Sequence, residues 1–270
     1  MAELATELKR LLEQECRLTV LTGAGVSAES GVPTFRGKEG YWTIGSKVYH
    51  PQEMATRSMF LQNPWQVWQW YLHRLGLCYS VEPNEGHRAI ATLEKLFQNR
   101  FTLITQNVDG LHLRAGSSIE RSYHIHGNLR YMRCSKDCSA KLYETPLALK
   151  DLSKPLNAEE QKLLRCPNCS AMTRPHVLWF DECYDEELFK FESSLLAAAN
   201  TDCLIVVGTS GATTLPLRTA AICARNGAMI VDINPQSNPF SEIASTLEMG
   251  FTIRDSAANA LPRLLDTLQD

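Results

Sequence analysis

The sequence predicts an α/β fold, a parallel sheet interrupted by two insertions, on three observations. Short apolar runs suited to buried strands recur at Leu18 to Leu21, Phe101 to Thr105, Cys203 to Val207 and Ala228 to Ile233. Helix-period stretches lie between them near 3–15, 86–98, 186–199 and 214–226, the alternation expected when helices cover both faces of a sheet. The first three strands run into small or polar residues, so these loops gather at the carboxyl edge, where open α/β sheets bind ligands.

Taken in order, the first strand enters Gly23-Ala24-Gly25-Val26-Ser27-Ala28. Gly23, Gly25 and Ala28 fit a loose G-x-G-x-x-A turn, in which residues without a Cβ let backbone N–H groups approach a pyrophosphate. No acidic residue closes a second strand about twenty residues on, as a dehydrogenase would require for its ribose, so a nucleotide is expected and hydride transfer is not. An aromatic-rich insertion follows, from about 37 to 86, with Trp65, Trp68, Trp70 and Tyr71 near helical spacing. Packing of a small helical lobe accounts for most of it. The second strand ends in Gln106-Asn107-Val108-Asp109, and His126-Gly127 precedes the second insertion, 131–174. The third strand ends in Gly208-Thr209-Ser210, and Asn234 follows the fourth.

The second insertion carries the metal signal. Cys134 with Cys138 and Cys166 with Cys169 form two short-spaced pairs, the pattern that places four thiolates around zinc. The alternative is four unconnected buried thiols, since cysteine among apolar neighbours behaves as a small hydrophobe. Ser135, Lys136, Asp137, Arg165 and Asn168 make these surroundings polar and favour the ligand reading. Four protein ligands leave no open position, so the ion is expected to be structural. Between the pairs, Asn157 to Glu160 resembles a capping box opening a short helix.

Composition narrows the class. A chain of 270 residues with 44% hydrophobic content can bury a full core without disulfide staples. A formal net charge of −3 argues against direct nucleic-acid binding, and no basic run marks a membrane surface. The first ten residues are amphipathic and mixed in charge, unlike a signal peptide, and no stretch is apolar enough for a membrane span. Nine cysteines suit a reducing compartment. A cytoplasmic monomer is the resulting expectation.

These motifs together resemble the sirtuin family of NAD-dependent protein deacylases. The similarity is carried by the run from Gly23 to Arg36, by Thr105 to Asp109, His126-Gly127, the cysteine pairs, Gly208 to Ser210 and Asn234. It implies a Rossmann-like NAD-binding domain of 1–36, 87–130 and 175–270, and a small domain of 37–86 and 131–174 combining a helical lobe with a zinc module. It implies NAD and Zn2+ as cofactors and acyl-lysine proteins or peptides as partners. To the cofactor it assigns Gly23, Ala24, Gly25, Ser27, Ala28, Thr34, Phe35, Arg36, Gln106, Asn107, Asp109, Gly208, Thr209, Ser210, Asn234 and Ala257. Val177, Trp179 and Phe180 are implied to meet the peptide, with the backbone of 177–180 adding to it as a strand.

The resemblance implies the chemistry, and the residue types suit it. Breaking the nicotinamide–ribose bond builds positive charge on the sugar, and the acyl oxygen that captures it is a weak nucleophile, so positioning carries much of the rate. The resemblance implies that Asn107 and Asp109 line the nicotinamide pocket, where an amide and a carboxylate can hold a carboxamide, and that Gln106 contacts the ribose. His126 is expected to act as general base on a ribose hydroxyl, a task suited to an imidazole. The products implied are nicotinamide, O-acyl-ADP-ribose and free lysine. His87, His112, His124 and His176 read as structural, although His124 stands where a carboxylate or small polar residue is expected. Cys183 and Cys203 read as core thiols. Phe35 and Arg36 suit phosphate contact from a mobile loop.

Tyr71 and Arg74 stand three apart on one helical face and match the Tyr-x-x-Arg pair with which one sirtuin subgroup grips succinyl, malonyl or glutaryl groups. A phenol and a guanidinium can receive a terminal carboxylate. The alternative has Arg74 reaching solvent while Tyr71 packs. The stretch Thr43 to His50 is longer than in that subgroup, and Pro51 falls near a pocket wall. Two rival functions share the cofactor: an NAD glycohydrolase or ADP-ribosyltransferase, and a non-catalytic NAD-binding module.

Overall fold

The computed structural model describes residues 2–33, 42–44, 47–49, 51–150 and 155–269. Thr34, Phe35, Arg36 and part of the 43–50 stretch lie outside the described residues. The strands are β1 (Leu18–Thr22), β2 (Trp42–Ile44), β3 (Lys47–Tyr49), β4 (Phe101–Thr105), β5 (Ser122–His124), β6 (Gly127–Cys134), β7 (Tyr143–Glu144), β8 (Thr173–Val177), β9 (Cys203–Val207), β10 (Met229–Ile233) and β11 (Gly250–Ile253). The helices are α1 (Ala2–Glu13), α2 (Gly25–Ala28), α3 (Pro51–Met54), α4 (Arg57–Gln62), α5 (Pro64–Ser80), α6 (Glu85–Phe97), α7 (Leu111–Arg114), α8 (Ala158–Lys162), α9 (Glu186–Phe189), α10 (Phe191–Ala199), α11 (Thr214–Arg225), α12 (Pro239–Ser245) and α13 (Ala257–Gln269).

A six-stranded parallel sheet runs in the order β11-β10-β9-β1-β4-β5. Its strands are apolar on both sides because both faces are covered. Leu18, Val20, Leu103, Ile205 and Val231 pack against α1, α6 and α13. Their alternates Leu21, Ile104, Leu204, Val206 and Ile230 pack against α10, α11 and α12. The chain leaves β1 toward β4 and β5, then crosses to β9 on the other side of β1. The loops after β1, β4 and β9 therefore diverge at a topological switch point, which opens a crevice between them.

A second core joins α3, α4 and α5 to an antiparallel sheet of order β7-β6-β8. Trp68, Trp70 and Tyr71 are buried in it, and Trp68 Nε1 donates to the Thr173 carbonyl at 2.8 Å, binding the aromatic helix to the cysteine-bearing segment. The aromatic run is thus mostly packing.

Three features depart from the sequence expectation. Cys183, expected as a core thiol, is exposed, whereas Cys203 is buried as expected. The helix expected over 186–199 is broken into α9 and α10 at Lys190, which adopts φ 54°, while Glu186 accepts from the backbone and hydroxyl of Ser193 across the break. β5 and β11 were not expected; both are short edge strands with polar residues, and edges need little apolar patterning.

Candidate active site

The β1 and β9 loops meet through their glycines. Gly25 N donates to the Gly208 carbonyl at 2.7 Å and Gly23 N to the Val207 carbonyl at 3.0 Å. A Cβ on Gly25 would stand 2.7 Å from the Gly208 oxygen, and Gly208 itself has φ +60°. The space expected to admit a ligand's phosphates thus also serves backbone contact between the two loops. Ala24 and Gly25 are half-buried and Ala28 is exposed beside them.

Ser27, on α2, is the hub of the crevice floor. Its hydroxyl donates to Asp109 Oδ2 at 2.8 Å and accepts from Asn107 Nδ2 at 3.0 Å. His87 Nε2 stands 3.2 Å away. Because His87 Nδ1 accepts from the Asn84 backbone, Nε2 carries the proton and donates to Ser27. Asp109 also accepts from Leu111 N at 2.9 Å. Burial pushes its carboxyl pKa up, opposed by the Leu111 and Ser27 hydrogen bonds and by the positive charges of Arg74 and Arg114. His87, expected to be structural, is set against Ser27 by its capping box with Asn84, which fixes the start of α6 at this floor.

Gln106 lies across the crevice. Its amide donates to Thr209 Oγ1 at 2.9 Å and to the Thr22 carbonyl at 3.2 Å, and accepts from Thr213 Oγ1 at 2.9 Å. Ser210 beside it is exposed. Asn234 is buried at the end of β10, its amide donating to Asp232. Asp232 also accepts from Asn238 at 3.0 Å and from Arg254 at 3.2 Å. Ala257 opens α13, and Glu29 accepts from Ser256 Oγ and from the backbone of Ala258, tying that helix start to the loop after β1.

His126 follows β5 and is half-buried. Its Nδ1 lies 3.1 Å from the Gln106 carbonyl, which can only accept, so Nδ1 bears the proton and Nε2 is left as the basic atom. Nε2 lies 2.8 Å from the Tyr184 hydroxyl, a partner for which the spacing of the chain carries no signal. Burial lowers the His126 pKa to about 4, and the hydrogen bond to Gln106 opposes the shift. Gly127 is required beside it: φ is +86°, and a Cβ there would come within 2.8 Å of the His176 carbonyl carbon in β8. His124 is lowered to about 4 by burial, opposed by the Asn107 backbone, and its electrostatic neighbours are His112 and His176.

The remaining residues border the second core. Leu178 N donates to the His126 carbonyl and Phe180 N to the Ala55 carbonyl, both at 3.0 Å, and Trp179 N donates to Glu182 at 3.1 Å. A peptide lying beside 177–180 is therefore left chiefly with the carbonyls of Leu178 and Phe180. Val177 and Trp179 are buried, while the Phe180 side chain is exposed. Trp179 Nε1 donates to Tyr71 Oη at 3.0 Å, and the Arg174 guanidinium stacks on the Trp179 ring while pairing with Glu182. Tyr71 and Arg74 are both buried. The guanidinium of Arg74 lies 4.9 Å from the Trp70 ring centroid and is felt electrostatically by Asp109, which places the pair near the crevice floor.

The sulfurs of Cys134, Cys138, Cys166 and Cys169 all lie within 4.8 Å of one another, with Cys134 to Cys169 at 3.5 Å and Cys138 to Cys166 at 3.6 Å. Four thiolates about 2.3 Å from a zinc ion stand roughly 3.8 Å apart, so the cluster fits that ion.

The Sir2 family profile matches residues 23–214. Among curated proteins, the chain is 39% identical over 254 residues to an NAD-dependent protein deacylase of Leptospira interrogans, covering 94% of each chain. It is 36% identical over 257 residues to an NAD-dependent protein deacylase of Aquifex aeolicus, covering 95% of this chain and 97% of that one. Among solved structures, a Sir2 homologue in complex with NAD superposes with a TM-score of 0.79 at 35% identity, over 98% of this chain and 93% of the other. A substituted Sir2 homologue bound to 2'-O-acetyl-ADP-ribose gives 0.80 at 34% identity, over 97% and 96%.

Proposed function

The chain belongs to the Sir2 family and is an NAD-dependent protein deacylase, and from that premise we propose which of its residues carry the reaction. NAD supplies a nicotinamide–ribose bond that is exchanged for one to the acyl oxygen of an acyl-lysine. Asn107 and Asp109, oriented by Ser27, hold the carboxamide of the nicotinamide. Gln106, gripped by Thr209 and Thr213, meets the ribose. The loops at 23–28 and 208–210, with Asn234 and Ala257, take the phosphates and adenosine; Thr34, Phe35 and Arg36 are assigned from sequence alone. His126 removes a proton from a ribose hydroxyl through Nε2. The observation that carries this reading is the Nδ1 contact to the Gln106 carbonyl, which leaves Nε2 unprotonated and able to take a proton.

We assign 1–36, 87–130 and 175–270 to the NAD-binding domain, and 37–86 with 131–174 to the small domain, whose shared core supports the division. Cys134, Cys138, Cys166 and Cys169 hold a structural zinc. Among the described residues no helix is long and apolar enough to cross a membrane. A cytoplasmic monomer that binds no nucleic acid is our reading, supported by the free thiols and the net charge.

Tyr71 and Arg74, with Val177, Trp179 and Phe180, form the acyl and peptide site, and we assign it to acidic acyl groups such as succinyl, malonyl or glutaryl. Trp179 donates to the Tyr71 oxygen, so the Tyr71 proton remains available to a carboxylate beside the Arg74 cation.

Mass spectrometry of acyl-lysine peptides incubated with NAD tests the function. Nicotinamide release should require the acyl-peptide, and O-acyl-ADP-ribose should accumulate. Release without peptide at the same rate would instead mark a glycohydrolase. His126→Ala should lower deacylation about a hundredfold to ten-thousandfold while the protein stays folded; near-parental turnover would withdraw the general-base assignment.

A further inference from the structure

His126 faces a phenol for which the reaction above has no use. With its proton on Nδ1, the imidazole presents one in-plane lone pair at Nε2, and Tyr184 Oη donates to it at 2.8 Å. Tyr184 does not meet His126 in passing. Its ring is stacked between those of His126, at 5.9 Å and 29°, and Phe191, at 6.1 Å and 22°. Burial pushes the phenol pKa up to about 12 against a hydrogen bond with Thr213, so it stays protonated and donates to the imidazole at neutral pH. Tyr184 also follows the segment 177–180, and Leu178 N in that segment donates to the His126 carbonyl. One stretch of chain thus holds the base by its backbone and covers its reacting atom.

A single lone pair accepts one strong hydrogen bond. The ribose hydroxyl must donate to Nε2 before it can lose its proton there, so hydroxyl and phenol cannot both occupy the site. We propose that Tyr184 is a positioning residue that caps the base of the resting enzyme, fixing the neutral Nδ1–H tautomer and surrendering Nε2 to the ribose hydroxyl when NAD and the acyl-peptide fill the cleft. The inference rests on the deacylase reading for the identity of the incoming hydroxyl. In the proton transfer, the ribose O–H bond breaks and an N–H bond forms at Nε2; Tyr184 keeps its own proton throughout and only moves aside.

The test is Tyr184→Phe in the zinc-loaded protein, which keeps the ring and its stacking and deletes the donor. In the unliganded state, nitrogen NMR of the His126 ring between about pH 5.5 and 8 should show Nε2 losing its hydrogen bond. The His126 pKa should rise, because the neutral form loses its donor. This readout needs no substrate, so it fails or succeeds separately from the deacylase reading. With NAD and an acyl-peptide, kcat/KM for NAD should rise about twofold to tenfold, the worth of one hydrogen bond no longer broken. In the parental protein, adding ADP-ribose with acyl-peptide should shift the Tyr184 ring resonances. An unchanged Nε2 signal in Tyr184→Phe would reduce Tyr184 to packing. A loss of kcat of tenfold or more with KM for NAD unchanged would show that the proton travels through the phenol, and would overturn the cap.

Discussion

Ser27 Oγ takes two donors, Asn107 Nδ2 and His87 Nε2, and gives one hydrogen bond to Asp109, so a single hydroxyl orders three of the polar groups on the crevice floor. Ser27→Ala would leave all three short of a partner, and an unsatisfied buried group costs roughly 1–3 kcal/mol. We expect a lower urea midpoint together with a raised KM for NAD; a normal KM would show that Asn107 and Asp109 are oriented by other contacts. Arg74 makes a separate argument, because a buried guanidinium is costly to retain. A charge-assisted hydrogen bond contributes roughly 1.5–3 kcal/mol, so Arg74→Met should lower kcat/KM for succinyl-lysine about tenfold to a hundredfold and affect acetyl-lysine far less. Equal losses on both substrates, or a parental preference for acetyl, would return Arg74 to a structural role as a charge near Asp109.

The cysteine pairs and the strand-end loops were legible because their spacing or composition is itself the chemistry. Cys134, Cys138, Cys166 and Cys169 come together as their spacing requires, and the four long apolar strands occur where the runs stand. Contacts between distant elements were not legible: Tyr184 on His126 depends on how the chain turns after β8, and Thr213 on Gln106 on how the β9 loop folds back. The break at Lys190 was hidden because the helical period continues across it. At this scale the zinc module yields a prediction. Cys134 ends β6 opposite Thr173 at the start of β8, and Cys166 N donates to the Ala171 carbonyl at 2.7 Å, so the ion would tie β6 to the segment entering β8 at one end of the antiparallel sheet. About one zinc per chain is expected, and chelation should unfold the second core first, since ligands without their ion lose the free energy that organises them. Hydrogen exchange should then rise in β6 and β8 before it rises in β1 and β9. Full activity in protein with little zinc would refute the structural role.

Across the whole molecule, four histidines besides His126 are held neutral near the active-site floor. Burial lowers His87 and His124 to about 4 and His176 to about 3, and puts His112 well below its ordinary value. Each binds a proton more readily in the unfolded chain, near pH 6.5, than in the folded one. Stability therefore falls as pH drops from about 6.5 toward 4, the window in which the unfolded state takes up protons that the folded state refuses. Asp109 and Asp232, raised by burial, act in the opposite sense; Asp181 and Glu182, lowered by their hydrogen bonds and by Arg174, lose stability on acidification as the histidines do. At pH 5 a fully buried neutral histidine costs about 2 kcal/mol relative to neutral pH, so His87 and His176 alone remove about 4 kcal/mol, a large part of an ordinary folding free energy. The urea midpoint should drop steadily between pH 7 and 5, and a flat midpoint would mean that these imidazoles are not held neutral. His126, itself lowered to about 4, would still be a competent base over much of that window. Loss of turnover on acidification should consequently follow unfolding rather than protonation of the base. Enzyme returned from pH 5 to pH 7 should then regain activity with the lag of refolding, whereas recovery within the mixing time would assign the acid limb to His126.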